Sequence, residues 1–353
     1  MGFRAGILTL IFHLSPLYVA SDAMAAAPIC LNVRLDQKSG SMEHVPILDQ
    51  DGVGFCFSYT AAAMVDAYRF SHGDHQYQRR SSPLLLALGT AQWDSDKVST
   101  NFGGVGTAIR VLFGNEFCSQ NFIERVLAGQ SEREFLNRLQ SNFDQYQVYL
   151  SSQNRFQKIK EHFYPYQTLA TDLACNLGET TTSAKLNEIV QTLKPLLENK
   201  YLKGAPAEAL EIHRLLVESC PNDRVPKVEL PFPIDKPMGS WQDSKEQIAE
   251  IYSNAFKRSF SGSNPLPIGL SYCVNKWNGE PKYNGSTKCQ GHASVLIGSR
   301  PTKAGRCEIL LRNSWGKNWC PRNIPPANCE GGQIWVDSKE LGRTAFSLAA
   351  FQN

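Results

Sequence analysis

The fold follows from the stretch Asp49-Gln-Asp-Gly-Val-Gly-Phe-Cys-Phe-Ser-Tyr-Thr-Ala-Ala-Ala-Met-Val-Asp-Ala-Tyr68. Its first half is a glycine-punctuated loop, and its second half favours a helix that begins at Cys56, because three alanines and helically spaced apolar residues follow. The apolar positions are Phe57, Ala61, Met64, Val65 and Tyr68. We expect this helix to end near Phe70.

Cys56 is placed by this pattern at, or within a turn of, a helix N-terminus. Unpaired backbone N–H groups and the positive end of the helix dipole stabilise a thiolate there. Cys56 is therefore a candidate nucleophile. A buried or disulfide-bonded cysteine is the alternative, and it is the commoner state of a cysteine in a secreted chain.

Two later stretches of the sequence favour the interpretation of Cys56 as a nucleophile. They read Gly291-His-Ala-Ser-Val-Leu-Ile-Gly298 and Ile309-Leu-Leu-Arg-Asn-Ser-Trp-Gly316. Together with Gln50 and Cys56 they resemble the papain family of cysteine peptidases in motif, chain order and local spacing. The resemblance covers 45–68 and 265–336, and 82–104 more loosely; the middle of the chain does not match.

The resemblance implies an α+β, papain-like fold of two lobes. A helical lobe carrying Cys56 would face an antiparallel β lobe carrying His292 and Asn313. Strands are predicted at 267–272, 293–299, 308–313 and 332–336 from their apolar runs. The expected division is a signal peptide at 1–26, the helical lobe at 27–117, an inserted helical subdomain at 118–231 and the β lobe at 232–353.

The interval from Cys56 to His292 is roughly twice what the family needs, so about a hundred residues are inserted. The pair Ser131-x-x-Glu134 predicts a helix start there. A segment this long with its own helices is a subdomain rather than a loop. Its role stays open between a stabilising elaboration, a lid, a substrate-selecting surface and a docking surface for a partner or regulator.

The site residues have distinct chemical roles. His292 pairs with the Cys56 thiolate and then donates a proton to the leaving amine, which needs an imidazole held in one orientation. Asn313 accepts the other ring N–H, in the third position of a triad. Gln50, with the backbone N–H of Cys56, can stabilise the oxyanion. By resemblance, Trp315 covers the bond between Asn313 and His292.

Gly103 and Gly104 resemble the family segment whose backbone pairs with an extended substrate. The family usually joins this segment to the nucleophile loop by a disulfide. Here the two positions hold Asn101 and Val53, so that bridge is absent. The loss removes a staple without touching the catalytic groups.

Export is expected from the N-terminus. Arg4 precedes a mostly apolar run over 6–20, and small residues suited to cleavage lie at 23–25. His13, Ser15 and Pro16 make that run a poor membrane span. We expect a secreted or periplasmic protein without stable membrane insertion after signal cleavage. The short interval before Gln50 leaves no room for the family's long inhibitory propeptide.

The composition excludes some classes of binding partner. A net charge of +3 on 353 residues implies no polyanionic partner, and no basic-aromatic interleaving suggests nucleic-acid binding. Protein or peptide substrates are expected, with no cofactor and no metal. His72 and His75 lie close together, but no further ligand cluster accompanies them, so a solvated loop is favoured there.

Ten cysteines in an exported chain suit disulfides. Cys320 with Cys329 and Cys273 with Cys289 are the best local pairs. Weaker pairs are Cys175 with Cys220 and Cys30 with Cys118, which would leave Cys307 spare. Connectivity is not fixed by sequence alone.

Three functions remain open from the residues. The first is an exported cysteine peptidase that acts through an acyl-enzyme. The second is an acyl transferase or amide ligase that uses the same triad with an amine in place of water. The third is a catalytically silent peptide-binding or protein-binding module on the peptidase fold.

Overall fold

The structure is a computed structural model that describes residues 28–50, 55–90, 104–112, 243–274, 289–320 without 290, and 325–351, together with 117–134 and 216–238 with gaps. Several sequence predictions lie outside these residues. They are the signal peptide at 1–26, Gly103, Cys175 and most of the insertion at 118–231.

Six α-helices are described. They are α1 (Cys56–Ser71), α2 (Pro83–Thr90), α3 (Val105–Val111), α4 (Gln120–Leu127), α5 (Lys245–Ser259) and α6 (Ser338–Thr344). The described strands are β1 (Val33–Arg34), β2 (Pro233–Lys236), β3 (Ile268–Cys273), β4 (Gly291–Pro301), β5 (Cys307–Arg312), β6 (Cys329–Glu330), β7 (Gln333–Asp337) and β8 (Ala345–Phe351).

Helix α1 is the central element. It begins at Cys56 as predicted. The sequence predicts one apolar face, but the helix is buried on nearly all sides, since 13 of its 16 residues are buried. It packs against α2 and α3 on one side and against β4 and β3 on the other. Its run of alanines allows this close approach, because a small side chain lets neighbouring backbones come near.

Within the described residues, the eight strands form one antiparallel sheet in the order β2-β8-β3-β4-β5-β7-β6, with β1 paired to β4. One apolar core lies among the helices around α1. A second lies between the sheet and the helices α5 and α6. The predicted α+β class is confirmed, and β4 borders both cores.

Two helix starts compare differently with the predictions. The reciprocal bonds between Ser131 and Glu134 are present, at 3.0 and 3.2 Å. The pair Asp243-x-x-Glu246 also predicts a helix start, with Asp243 as the cap of α5, and this prediction is wrong by one residue. Ser244 has the extended backbone of a cap and accepts from the N–H of Gln247, whose side chain accepts from the Ser244 N–H in return.

The disulfides confirm two predicted pairs and correct two. Cys320–Cys329 and Cys273–Cys289 are formed. Cys30 is bonded to Cys307 rather than to Cys118, so Cys307 is not spare. The reason is strand pairing: β1 lies against the end of β4, and the next strand, β5, begins at Cys307.

The guess that joined Cys175 to Cys220 is also wrong. Cys220 is bonded to Cys118, and Cys118 pairs through its backbone with Arg224 just beyond Cys220. This bridge therefore joins two parts of the interval predicted as an insertion, and both cysteines are buried in the core around α1.

The loop after α1 is anchored by a buried cation. Arg69 is 1% exposed and bonds the carboxylates of Asp66 and Asp74 and the backbone oxygen of Arg79. Asp66 also accepts the backbone N–H and the hydroxyl of Ser81. The polar loop inferred from sequence is thus held to the helix by charge-assisted hydrogen bonds.

Replacing Arg69 with methionine should lower the free energy of unfolding by about 3–5 kcal/mol, because two carboxylates lose their buried partner. Urea denaturation measures this. The exposed Arg79→Met is the control and should change stability by less than about 0.5 kcal/mol. Equal effects of the two substitutions would contradict the buried-anchor assignment.

Candidate active site

The candidate residues reach the site from four segments. Cys56 opens α1, His292 is the second residue of β4, and Asn313 directly follows β5. Gln50 lies in the segment before α1. Because α1 packs on β4 and β4 pairs with β5, the helix start and both strand residues face one region.

His292 and Asn313 are hydrogen-bonded, with 2.8 Å between Nε2 of the ring and Oδ1 of the amide. They are 6% and 2% exposed. The backbone N–H of Ser314 also lies 2.8 Å from Oδ1. Since a backbone N–H can only donate, that atom must be oxygen, and the ring therefore carries its proton on Nε2. Nδ1 of His292 is left as the acceptor.

Three aromatic residues fix the imidazole. Trp315 stacks on the His292 ring with centroids 4.4 Å apart, and Trp319 packs edge-on against Trp315 at 4.9 Å. Tyr272 meets the imidazole edge-on at 5.6 Å, and its hydroxyl hydrogen-bonds that of Ser294. We call Trp315, Trp319 and Tyr272 the aromatic clamp. It limits rotation of the imidazole, whose bond to Asn313 is buried.

Cys56 is the free cysteine among the described residues, and it is partly buried. Burial raises the pKa of its thiol, while the backbone N–H groups of Ala293, Phe57 and Cys56 itself lower it in part. The Ala293 contact places the sulfur beside β4, at the residue after His292. The sequence had suggested a lowered thiol pKa from the helix start alone, and burial outweighs that effect.

Burial also lowers the pKa of His292 from 6.5 to about 4, opposed in part by the hydrogen bond to Asn313. Each group alone is therefore neutral at pH 7. A thiolate and an imidazolium stabilise each other when they are in contact, so a charged state of these two buried groups requires them to meet.

Gln50 is locked to the segment that follows Asn313. Its backbone N–H donates to the Ser314 carbonyl at 2.8 Å, and the Ser314 hydroxyl donates to Gln50 Oε1 at 2.5 Å. The amide NH₂ of Gln50 must then face away from Ser314. Ser314 thus orients Gln50, a role the sequence analysis missed because the direction of its hydroxyl depends on the folded loop.

The same two segments are joined along their backbones. Asp49 pairs with Trp315, and the Gly316 N–H donates to the Leu48 carbonyl at 3.1 Å. Gly316 has a φ of +81°, and a Cβ there would lie 2.6 Å from an oxygen of Asp49. The positive φ favours glycine at this position, whereas the Asp49 side chain could turn aside. The positions of Trp315 and Gln50 are therefore fixed relative to each other by this turn.

The other positions singled out in the sequence, the glycine segment and the histidines after α1, add little to the description of the site. Gly104 caps α3 with extended backbone, whereas Gly103, Val53 and Asn101 lie outside the described residues. His72 stacks on Tyr68 at 3.9 Å. Across the described ranges, no three His, Cys, Asp or Glu residues form a metal-binding group. In the same ranges no helix combines the length and apolar character of a membrane span.

No protein-family model and no curated protein sequence matches the chain. Its structural matches include the ragweed pollen cysteine protease Amb a 11 in its proform, at 11% identity and TM-score 0.41, covering 94% of this chain and 69% of that one. Digestive procathepsin L 3 of Tenebrio molitor matches at 13% and 0.41, covering 95% and 73%. Xylellain, a cysteine protease from Xylella fastidiosa, matches at 15% and 0.41, covering 92% of both chains.

Similarity at such identities and TM-scores assigns no activity. The chemistry of the site rests on the residues of this chain.

In a Cys56→Ala variant, which lacks the thiol, the pKa of His292 should lie near 4, because burial disfavours the imidazolium. The unfolded chain then binds this proton more tightly, so stability should fall as pH drops from 6.5 toward 4. NMR of the imidazole carbons measures the pKa. Adding His292→Gln should remove this part of the pH dependence of stability. A pKa at or above 6.5 in Cys56→Ala would contradict the burial argument.

Proposed function

We propose that the chain is an exported cysteine peptidase that hydrolyses peptide bonds through Cys56, His292 and Asn313. One observation supports this most strongly. A buried imidazole is bonded through Nε2 to an asparagine amide, and a free thiol lies beside the same strand. That combination leaves Nδ1 of His292 as the acceptor for the thiol proton.

The reaction begins with proton transfer from the Cys56 sulfur to His292. The sulfur then attacks the carbonyl carbon of the substrate and forms a tetrahedral intermediate. As the C–N bond breaks, His292 returns its proton to the leaving amine, and an acyl-enzyme remains. Water attacks this thioester with His292 as general base, and release of the acid regenerates the thiol.

Charge on the tetrahedral oxygen would be stabilised by the NH₂ of Gln50 and the backbone N–H of Cys56 at the start of α1. The bonds between Ser314 and Gln50 hold that NH₂ in place before substrate arrives, so little reorganisation is needed during the reaction. Asn313 orients His292 without adding negative charge, which suits a pair that already contains a thiolate.

The proposal extends to the location, the substrates and the insertion. Four disulfides support an extracytoplasmic location, secreted or periplasmic. Peptides or proteins are the proposed substrates, with Gly103 and Gly104 pairing to their backbone. The insertion is proposed as a surface for substrates or regulators; its described start bonds α1, since the Tyr59 hydroxyl donates to Glu132 at 2.7 Å.

An epoxysuccinyl probe should label Cys56 in the folded, reduced protein, and Cys56→Ala should abolish labelling. His292→Ala should abolish peptide cleavage while leaving the fold intact by circular dichroism. His44→Ala, which removes another histidine ring, one stacked on Tyr77, is the matched control and should retain cleavage.

Two results would reject the peptidase. No labelling of Cys56 would favour the silent binding module. A mass spectrum showing only amine-transfer products, with no hydrolysis when amine is omitted, would favour the acyl transferase or ligase.

Gln50→Ala should lower kcat by about 10²–10³, because one oxyanion donor is lost, with little change in KM. Ser314→Ala should lower kcat less, since Gln50 remains but its amide is no longer oriented. The exposed Gln76→Ala is the control and should leave kcat unchanged. Steady-state kinetics on one peptide tests all three. An unchanged kcat in Gln50→Ala would remove Gln50 from the mechanism.

A further inference from the structure

The four disulfides differ in exposure and in what they hold. Cys118 and Cys220 are both buried, and Cys30–Cys307 joins β1 to a buried position at the start of β5. The other two bridges, Cys273–Cys289 and Cys320–Cys329, each include one exposed cysteine. Solvent thiols therefore have readier access to these two bridges.

Both exposed bridges adjoin the aromatic clamp. Tyr272, whose ring meets His292, is followed directly by Cys273, and Cys273 pairs across the sheet with Gly291. Trp319, which packs on Trp315, is followed directly by Cys320, whose bridge ties it to β6. Each side of the imidazole is thus tied to a bridge one residue beyond a clamp ring.

We propose that Cys273–Cys289 and Cys320–Cys329 are redox-sensitive positioning elements that hold the aromatic clamp on His292. This inference rests on the proposed function, because it concerns the orientation of the proposed catalytic imidazole. The chain then has two opposite thiol requirements. Cys56 must be reduced to act, whereas the two bridges must stay oxidised to keep His292 in place.

Opening a bridge is a two-electron exchange with a small dithiol. A thiolate of the dithiol attacks one cysteine sulfur, the protein S–S bond breaks, and a mixed disulfide forms. The second thiol displaces the protein sulfur and leaves as a cyclic disulfide. The dithiol is oxidised, and the two protein cysteines take up the electrons and end as thiols.

Two clamp variants each remove one exposed bridge. The first combines Cys320→Ser with Cys329→Ser, and the second combines Cys273→Ser with Cys289→Ser. The control combines Cys30→Ser with Cys307→Ser. The control bridge spans 277 residues, against 9 and 16 for the exposed pairs, so its loss should cost more stability by the loop-closure argument. It does not adjoin a clamp ring.

The first measurement is the rate at which iodoacetamide alkylates Cys56 as a function of pH, with the modified peptide identified by mass. Each clamp variant should react about tenfold more slowly below pH 7, and kcat should fall about tenfold with little change in KM, because the imidazole is less well placed. The control should keep the parent pH profile and kcat despite its lower stability. An unchanged pH profile in both clamp variants would overturn the inference.

A titration of the native protein with dithiothreitol covers the case in which a variant fails to fold. Mass mapping should show the two exposed bridges opening before Cys118–Cys220, with the reactivity of Cys56 below pH 7 falling in step. Opening of both bridges without that fall would also overturn the inference. Alkylation needs no peptide substrate, so a clamp effect without any peptide cleavage would reject the proposed function and leave the inference standing.

Discussion

The antiparallel pairing of β4 with β5 is the constraint on which the site depends. It places Asn313, at the end of one strand, opposite the start of the other, where His292 lies. The resulting 2.8 Å bond fixes the ring proton on Nε2. Packing of α1 on β4 then brings Cys56 to the residue after His292. Loss of this strand register would separate Asn313 from His292.

Burial gives the site its electrostatic character. Each group alone is held neutral, since burial raises the pKa of the Cys56 thiol and lowers that of His292. The charged state we propose is therefore the thiolate–imidazolium pair, in which each ion would supply the partner that solvent no longer provides. Trp315 of the aromatic clamp stacks on the imidazole, and the turn at Gly316 holds Trp315 and Gln50 together.

Local signals in the sequence were sufficient for the main elements. The start of α1 followed from glycines, alanines and helical spacing, and four strands followed from short apolar runs. Strand β8 was missed because its burial does not alternate: Phe346 is exposed while Leu348 and Ala349 are both buried. Leu348 lies in the core beside α5 and α6 and Ala349 in the core around α1, so both faces of the strand are buried there.

The features that could not be predicted from the sequence depend on contacts between distant parts of the chain. The partner of Cys30 is 277 residues away and is chosen by strand pairing. The buried partners of Arg69 and the orientation of Gln50 by Ser314 appear only once loops are folded. The candidate site residues follow from motifs, but the dominance of burial over the backbone N–H bonds at Cys56 depends on the packed structure.

A crystal structure of the protein trapped with a peptide aldehyde tests the account most directly, since the aldehyde forms a tetrahedral adduct with a nucleophilic thiol. We expect a bond from the Cys56 sulfur to the aldehyde carbon. We also expect the adduct oxygen at about 2.7–3.1 Å from both the Gln50 amide nitrogen and the Cys56 backbone nitrogen. An aldehyde that leaves Cys56 unmodified, or an adduct whose oxygen points away from both donors, would contradict it.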